Sequence, residues 1–156
     1  MSQFYKYVVD LTNYQEREIP KEIIEYNENL KESLSNERRR FQRELHWDKM
    51  WKMSSINARL REGWKFYLLR PNKLIKGWVW ISPNGELKNL YVSKKLRGQG
   101  WAKQLIFKVL NELQESGHNQ MTYRCDTWNT PSKCAIEQVL ELICCKTQCT
   151  VVEEDY

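Results

Sequence analysis

The sequence predicts one α/β domain with a mixed sheet, spanning residues 1–156. Three observations predict it. Aromatic and β-branched runs at Trp64–Leu69, Leu74–Ile81 and Leu87–Val92 follow one another with turn signals between them. A helical period of about 3.6 residues then takes over, with Ala102, Leu105, Ile106, Val109, Leu110 and Leu113 on one face. No internal repeat, low-complexity stretch or Pro/Gly-rich linker divides the chain, and its length allows one sizeable core.

Taken in order, Tyr5–Thr12 (YKYVVDLT) reads as a first strand. Pro20 suits the first turn of a helix that would carry Ile23, Leu30 and Leu34 on a partial apolar face. A second helix is expected from Ser35 or Asn36, both good caps, turning Phe41, Leu45 and Trp47 or Trp51 inward and persisting to about Arg61, with Gly63 as its stop. The three aromatic runs form an antiparallel meander, and Pro83-Asn84-Gly85 between the second and third is a strong hairpin signal. After Ser93–Gly100 (SKKLRGQG) comes the clearest helix, with Lys103, Gln104, Lys108, Glu112 and Glu115 facing away from its apolar stripe and Gly117 ending it. Met121–Asp126 is a short strand, Pro131–Leu142 a helix and Ile143–Val152 a final strand. The predicted order is β-α-α-β-β-β-α-β-α-β.

Composition narrows the function classes. Seven Trp and eight Tyr promise an aromatic core. A formal net charge of +5 suits phosphate binding but lacks the basic blocks of a nucleic-acid tail. The first ten residues lack the basic and apolar regions of a signal peptide, and no apolar run approaches the roughly 18 residues of a membrane span. The five cysteines, Cys125, Cys134, Cys144, Cys145 and Cys149, are odd in number and contain no C-x-x-C pair, while His46 and His118 lie far away. Free thiols in a reducing cytoplasm, with no metal, are the expectation. The run Arg38–Arg39–Arg40, followed by Arg43, stands either as a solvated face balanced by Glu37 and Glu44 or as a surface for an acidic partner.

The junction Val92–Lys103 carries the chemistry. A loop with Gly98 and Gly100 that feeds a helix start presents unpaired backbone N–H groups, and the helix dipole adds positive potential there. From Lys88 to Lys108 there are six basic residues (Lys88, Lys94, Lys95, Arg97, Lys103, Lys108) and no acidic one. The expected ligand bears phosphate. A nucleotide P-loop is excluded because Trp101-Ala102 stands where Lys-Ser/Thr is needed. A dinucleotide fingerprint is excluded because Lys103 occupies the third glycine position and the acidic residue some 20 positions on is missing.

Arg97-Gly98-Gln99-Gly100-Trp101-Ala102 resembles the Arg/Gln-x-x-Gly-x-Gly/Ala motif of the GNAT superfamily of acyl-CoA-dependent N-acetyltransferases. Leu90-Tyr91-Val92 precedes it as the family's fourth strand would, the amphipathic helix follows, and Asn129-Thr130-Pro131 comes after the next strand. The likeness runs from Gly77 to Leu142. It implies a mixed, mostly antiparallel sheet flanked by helices, with acetyl-CoA as acyl donor and an amine as acceptor. On that resemblance, backbone N–H groups from Gly98 to Lys103 would hold the pyrophosphate, with Arg97, Gln99, Trp101 and Ala102 in the same loop. Leu90, Tyr91 and Val92 would pair with the pantetheine arm, and the Val92 N–H would polarise the thioester carbonyl and stabilise the developing oxyanion. Asn129 would bond the pantetheine or nearby backbone; the residue pattern equally suits a helix cap.

Amine acylation needs a neutral amine, because an alkylammonium with a pKa near ~10.4 is protonated at neutral pH. Glu86 resembles in position the catalytic glutamate of the histone-acetyltransferase branch and is the implied base; as a plain sequence feature it is also an exposed Glu after a Pro-Asn-Gly turn. Three departures accompany the likeness. Ile136 stands where many family members carry the Tyr that protonates the departing sulfur, with Cys134 and Ser132 nearby on the same helix. Leu140-Glu141 replaces the usual Gly-Phe pair. The segment after the last helix suffices for one strand, where the family usually closes with two. Two other readings follow from the same residues: an acyltransferase acting on nucleic acid, using aromatics such as Trp47, Trp51 and Trp128, and a non-catalytic CoA- or protein-binding module.

Overall fold

The structure, a computed structural model, describes residues 2–45, 52–127, 129–143 and 145–154. Trp47, Trp51, Trp128, His46 and Cys144 lie outside them. Seven strands and four α-helices are present among the described residues. Their order is β1 (Ser2–Asp10), β2 (Ile23–Glu25), α1 (Lys31–Leu45), α2 (Ile56–Arg61), β3 (Lys65–Leu69), β4 (Gly77–Ile81), β5 (Glu86–Val92), α3 (Trp101–Glu115), β6 (Gln120–Asp126), α4 (Thr130–Leu142) and β7 (Thr147–Glu154).

The strands form one sheet in the order β2-β3-β4-β5-β6-β1-β7. Every pairing is antiparallel except β5 with β6. The mixed, mostly antiparallel α/β fold expected from the sequence is therefore the one observed. Helices cover the sheet on both faces. α3 and α4 bury Leu105, Ile106, Val109, Leu110, Ile136 and Val139 against Tyr7, Val9, Met121 and Tyr123. On the other face Leu34, Phe41 and Ile56, from α1 and α2, close over Phe66, Leu68, Trp78, Trp80 and Tyr91. The aromatic residues concentrate in this second layer, where the Phe66 and Trp80 rings stack 3.8 Å apart.

The N-terminal third departs from the sequence reading in two places. The segment after Pro20 is not helical; Ile23–Glu25 forms an edge strand on β3, with Ile23 buried. The first helix instead starts at Lys31, after a 3-10 turn at Glu28–Leu30 whose Asn27 side chain accepts the Asn29 N–H at 3.0 Å. It runs through Ser35 and Asn36 without a break, so neither acts as a cap. The reason is periodicity: Leu30, Leu34, Glu37 and Phe41 form a single inward stripe that one continuous helix satisfies. α2 does end at Gly63, whose φ of 97° is the left-handed conformation a helix stop needs.

The larger surprise is where β1 goes. It lies between β6 and β7, with Phe4 opposite both Asp126 and Val152. The segment after α4 supplies one strand, as expected, and the N-terminal strand supplies the second at that end of the sheet. Residues 11–22 must then travel from the sixth strand position to the first, about 24 Å at ~4.8 Å per strand. They cross the outside of α3 as a strap. The Tyr14 hydroxyl donates to Asn111 Oδ1 at 2.6 Å, and Asn111 Nδ2 donates to the Arg17 carbonyl at 2.7 Å. The Arg17 guanidinium sits 4.5 Å over the Phe107 ring.

Candidate active site

β5 is the strand that builds the site. The turn Ser82–Gly85 starts it as the Pro-Asn-Gly signal predicts: the Gly85 N–H reaches the Ser82 carbonyl at 3.1 Å, and Gly85 has φ 88°. At that end β5 is paired on both sides, with Ile81 opposite Leu87 on β4, and Glu86 and Leu87 opposite Thr122 and Tyr123 on β6. The parallel pairing then stops, and β5 and β6 separate. On the β4 side the register shifts between Trp78 and Trp80, so that Val79 stands opposite both Asn89 and Leu90. Asn89 takes φ 55°, the left-handed conformation of a bulge residue. The extra residue reverses which side chains face which layer. Leu87 faces α3 before the bulge; Leu90 and Val92 do so after it, and Tyr91 turns to α1.

Beyond Val92 the chain makes a 3-10 turn at Lys94–Leu96 and enters α3 through Gly98 and Gly100, at φ 81° and 86°. These are conformations that residues with a Cβ rarely hold. No side chain caps α3, its first turn carries no acidic residue, and its first internal bond is Gln104 N–H to the Gly100 carbonyl at 3.2 Å. The preceding backbone N–H groups of the first turn thus have no intrahelical acceptor. Arg97 folds back so that its Nε donates to the Val92 carbonyl at 3.0 Å, tying the loop to the end of β5.

Facing this loop is the start of α4, and between them lies a cleft of about 450 Å³. Val92, Arg97, Gly98, Gly100, Trp101, Ala102 and Lys103 line one wall, Pro131, Cys134, Ala135 and Gln138 the other. The lining contains two cations and no carboxylate. An uncapped helix start, two left-handed glycines and that charge balance fit a phosphate-bearing ligand; at Gly98 an added Cβ would meet nothing within 4 Å, so conformation rather than crowding demands glycine there.

The structure brings most of the predicted residues together, with four qualifications. The Gln99 side chain is exposed and lies near the Lys95 carbonyl at 3.5 Å, outside the lining. Tyr91 is buried on the α1 side, its hydroxyl donating to Glu37 Oε1 at 3.1 Å. Glu37, itself 3% exposed, also meets Arg40 at 3.3 Å and Lys76 at 3.6 Å, which fastens α1 onto β5. Asn129 caps α4, its Oδ1 accepting the Ser132 N–H at 3.3 Å. Glu86 sits at the closed end of β5, with Lys88 Nζ 3.0 Å from its carboxylate and the Asn84 amide at 3.5 Å. It lies four to six residues from Leu90–Val92, about 13–20 Å at ~3.3 Å per residue.

Of the second wall the sequence reading offered only Cys134, as a group near the usual acid position. Pro131, Cys134, Ala135 and Gln138 recur at i, i+3, i+4 and i+7, a stripe legible in retrospect. Ile136 points elsewhere: it is fully buried in the α3/α4 core, so that position does not reach the cleft, whereas Cys134 does. The strand Met121–Asp126 appears as Gln120–Asp126 and ends at Asp126, three residues beyond Tyr123, its last partner on β5's side. No group of three or more His, Cys, Asp or Glu side chains able to hold a metal occurs among the described residues. No helix among them is long and apolar enough to cross a membrane.

Comparison with known proteins agrees with this geometry. A putative GNAT acetyltransferase from Novosphingobium aromaticivorans superposes with a TM-score of 0.68 at 16% identity, over 96% of this chain and 63% of that one. A GNAT-family acetyltransferase from Colwellia psychrerythraea gives 0.72 at 10% identity, over 97% and 54%. This chain thus spans little more than half to three-fifths of the length of those two proteins. AAC(6′)-Iy, an aminoglycoside N-acetyltransferase solved with a CoA-based bisubstrate analogue, gives 0.63 at 17% identity, over 75% and 87%. At such identities the likeness is one of fold. No curated protein matches the chain. The family model described as an acetyltransferase (GNAT) domain matches residues 11–130, the stretch that holds the bulged strand, the glycine loop and the start of α4, and the chain belongs to the GNAT acetyltransferase family.

Proposed function

We propose that the cleft binds acetyl-CoA and that the protein transfers the acetyl group to an amine. One observation carries the reading furthest: β5 leaves β6 after Leu87 and runs directly into an uncapped, glycine-lined helix start. A free strand edge and an anion cradle are thereby placed in line, as an elongated ligand with a phosphate at one end and an amide-bearing arm requires. Bound acetyl-CoA would supply an activated acyl group as a thioester.

The residues divide the work as follows. Backbone N–H groups at Gly98–Lys103 would hold the diphosphate, with Arg97 and Lys103 of the cleft lining adding positive charge. Leu90–Val92 would offer the arm the edge that β6 leaves, where the Val92 carbonyl is held by Arg97 Nε. The Val92 N–H would meet the acyl carbonyl, where a fixed donor favours the charge that develops on oxygen. Asn129 holds the start of α4 and so the second wall; a further bond from it to the arm belongs to the same proposal. As the amine nitrogen bonds to the acyl carbon, the carbon–sulfur bond breaks and its electron pair leaves with sulfur. An alkyl thiol with a pKa near ~8.5 leaves without a strong acid. The absence of Tyr at Ile136 is therefore compatible with turnover. Glu86 serves this reading only at a distance: held by Lys88 at the closed end of β5, it would reach an amine near Leu90–Val92 through a chain of waters.

Thermal unfolding with acetyl-CoA, CoA, ATP and NAD added separately tests the ligand class. At 100 times its Kd a ligand adds about 2.7 kcal/mol, a shift of a few degrees for a domain of this size. Stabilisation by the two CoA species alone is the expected result. No shift with either at saturation would remove CoA from the reading.

A further inference from the structure

The far end of β6 holds a carboxyl group that the fold itself does not use. Asp126 is partly buried, and its Oδ1 is sealed from solvent with no hydrogen-bond partner. Groups in that condition are rare in folded proteins and call for a reason. Burial alone holds its pKa above the ordinary Asp value.

Its position supplies the reason. The parallel register sets Glu86 opposite Thr122 and Leu87 opposite Tyr123. Carried forward, and allowing for the extra residue at Asn89, it brings Leu90 level with Cys125 and Tyr91 level with Asp126. Side-chain direction checks this: Leu90 and Cys125 both face α3 and α4, whereas Tyr91 faces the opposite layer and Asp126 alternates out of the α3/α4 core. The register continued in this way would set Asp126 level with Tyr91, beside the edge of β5 that β6 has left. Glu86 is four to six residues away on the side where the strands are still joined.

The neighbourhood of Asp126 says what kind of acceptor it would meet. Phe4 lies directly opposite it on β1, and Val152 lies opposite Phe4 on β7, so an apolar strip leads away from the carboxyl across two strands, about 10 Å at ~4.8 Å each. Phe4 and Val152 are each partly exposed, and neither belongs to the α1/α2 core. The next rung along carries Arg124 opposite Lys6, two cations. Among the described side chains, the charged groups on this face also include Glu86 with Lys88, Glu37 with Arg40 and Lys76 at the Tyr91 hydroxyl, and Arg59 over Trp80.

We propose that Asp126 receives the acceptor amine and takes its proton, and that the acceptor is a mono-amine on an apolar stem rather than a polycation. The inference rests on the acetyl-transfer reading above. The ammonium first gives one proton to the Asp126 carboxylate, which passes it to solvent. The neutral nitrogen then bonds to the acyl carbon, the C–S bond breaks with its electron pair going to sulfur, and the second proton shed by nitrogen ends on the departing thiolate. A carboxyl held above the usual range is a better proton acceptor than one stabilised by a cation. Lys6 repels any second ammonium on the acceptor, while Phe4 and Val152 favour an apolar stem.

The test uses the CoA-bound protein and two amine probes, 4-phenylbutylammonium and spermidine. NMR follows the Asp126 carboxyl carbon and the amides of Tyr91 and Thr127 during titration. Calorimetry measures CoA affinity, and thiol release from acetyl-CoA measures turnover with 4-phenylbutylamine. The expected result is saturable perturbation by 4-phenylbutylammonium, about tenfold weaker binding of spermidine, and loss of both in Asp126→Asn. That variant should keep its CoA affinity and melt no lower than the parent, while turnover falls by about 10²-fold or more and the acidic limb of the pH–rate profile flattens. Unchanged turnover and amine binding in Asp126→Asn, with CoA still bound, overturn this inference alone, as does a variant that melts well below the parent. Spermidine binding as tightly as the mono-amine overturns the acceptor class. Failure of the parent protein to bind CoA overturns the acetyl-transfer reading and this inference with it.

Discussion

The two ends of β5 are made differently although one short strand contains both. At Glu86 the strand begins in a tight turn, has a neighbour on either side, and holds its carboxylate in an ion pair with Lys88. At Val92 it has only β4 beside it, through Gly77, and the opposite edge lies open. Between them one left-handed residue, Asn89, reverses the facing of the side chains. The closed end stabilises the sheet, and the open end is left for a ligand, because the same backbone groups cannot do both at once.

Changes to the backbone and glycine loop at the open end should therefore affect binding most, whereas changes to side chains that hold the layers together or close the other end should affect stability and leave binding in place. The largest effect is expected from Gly100→Glu, which forces a side chain into φ 86° and puts a negative charge at the uncapped start of α3. CoA affinity measured by calorimetry should fall by roughly 10²-fold or more, about 2.7 kcal/mol. Affinity within a few-fold of the parent would separate the loop from the ligand.

Next in size is Tyr91→Phe. It removes the hydroxyl that Glu37 accepts and should cost about 1–2 kcal/mol in denaturant unfolding, since the bond is to a charged partner. Its backbone N–H is untouched, so CoA affinity should hold. A loss of affinity without a loss of stability would mean that the α1 side and the cleft are coupled through this residue.

The smallest effect is expected from Glu86→Gln. An ion pair whose side chains are 26% and 42% exposed contributes less than about 1 kcal/mol. Turnover should fall far less than in Asp126→Asn. Should Glu86→Gln instead lower turnover by about 10²-fold or more at constant CoA affinity, the proton chemistry moves to the closed end.

The pH dependence of stability gives an independent check on Asp126. Its folded-state pKa is raised above the ordinary value of 3.8 by burial. The folded state thus binds its proton more readily than the unfolded chain does. This group's contribution favours folding below the unfolded pKa and is lost as pH rises through the raised folded value. Relative to the parent, Asp126→Asn should gain stability across that window, read from melting temperatures at several pH values; a relative loss would assign Asp126 a structural role.

What was legible in the sequence was what depends on near neighbours. The α3 stripe, the Pro-Asn-Gly hairpin and the glycine loop each declare themselves within a few residues, and each appears where expected. The Ile23–Glu25 strand did not, because three residues carry no usable period and only pairing with β3 makes them extended. The bulge at Asn89 was invisible for a related reason: it exists relative to Val79 on the partner strand. Asp126 looked like the end of a short strand. Its interest arises from a level match with Tyr91 across two strands that pair over only two residues.

The placement of β1 has a consequence for how the chain is made. Tyr5, Tyr7 and Val9 are synthesised long before their partners Cys125, Tyr123 and Met121 on β6, and before β7. At ~5–20 residues per second this strand waits roughly 6–24 s on the ribosome before β6 exists. During that interval it is an aromatic, alternating segment with both edges bare, the kind of sequence that recruits another nascent chain. Lys6 and Asp10, set among the apolar residues, are the charges available to discourage such pairing, and the sheet can close only once β6 and β7 have been made.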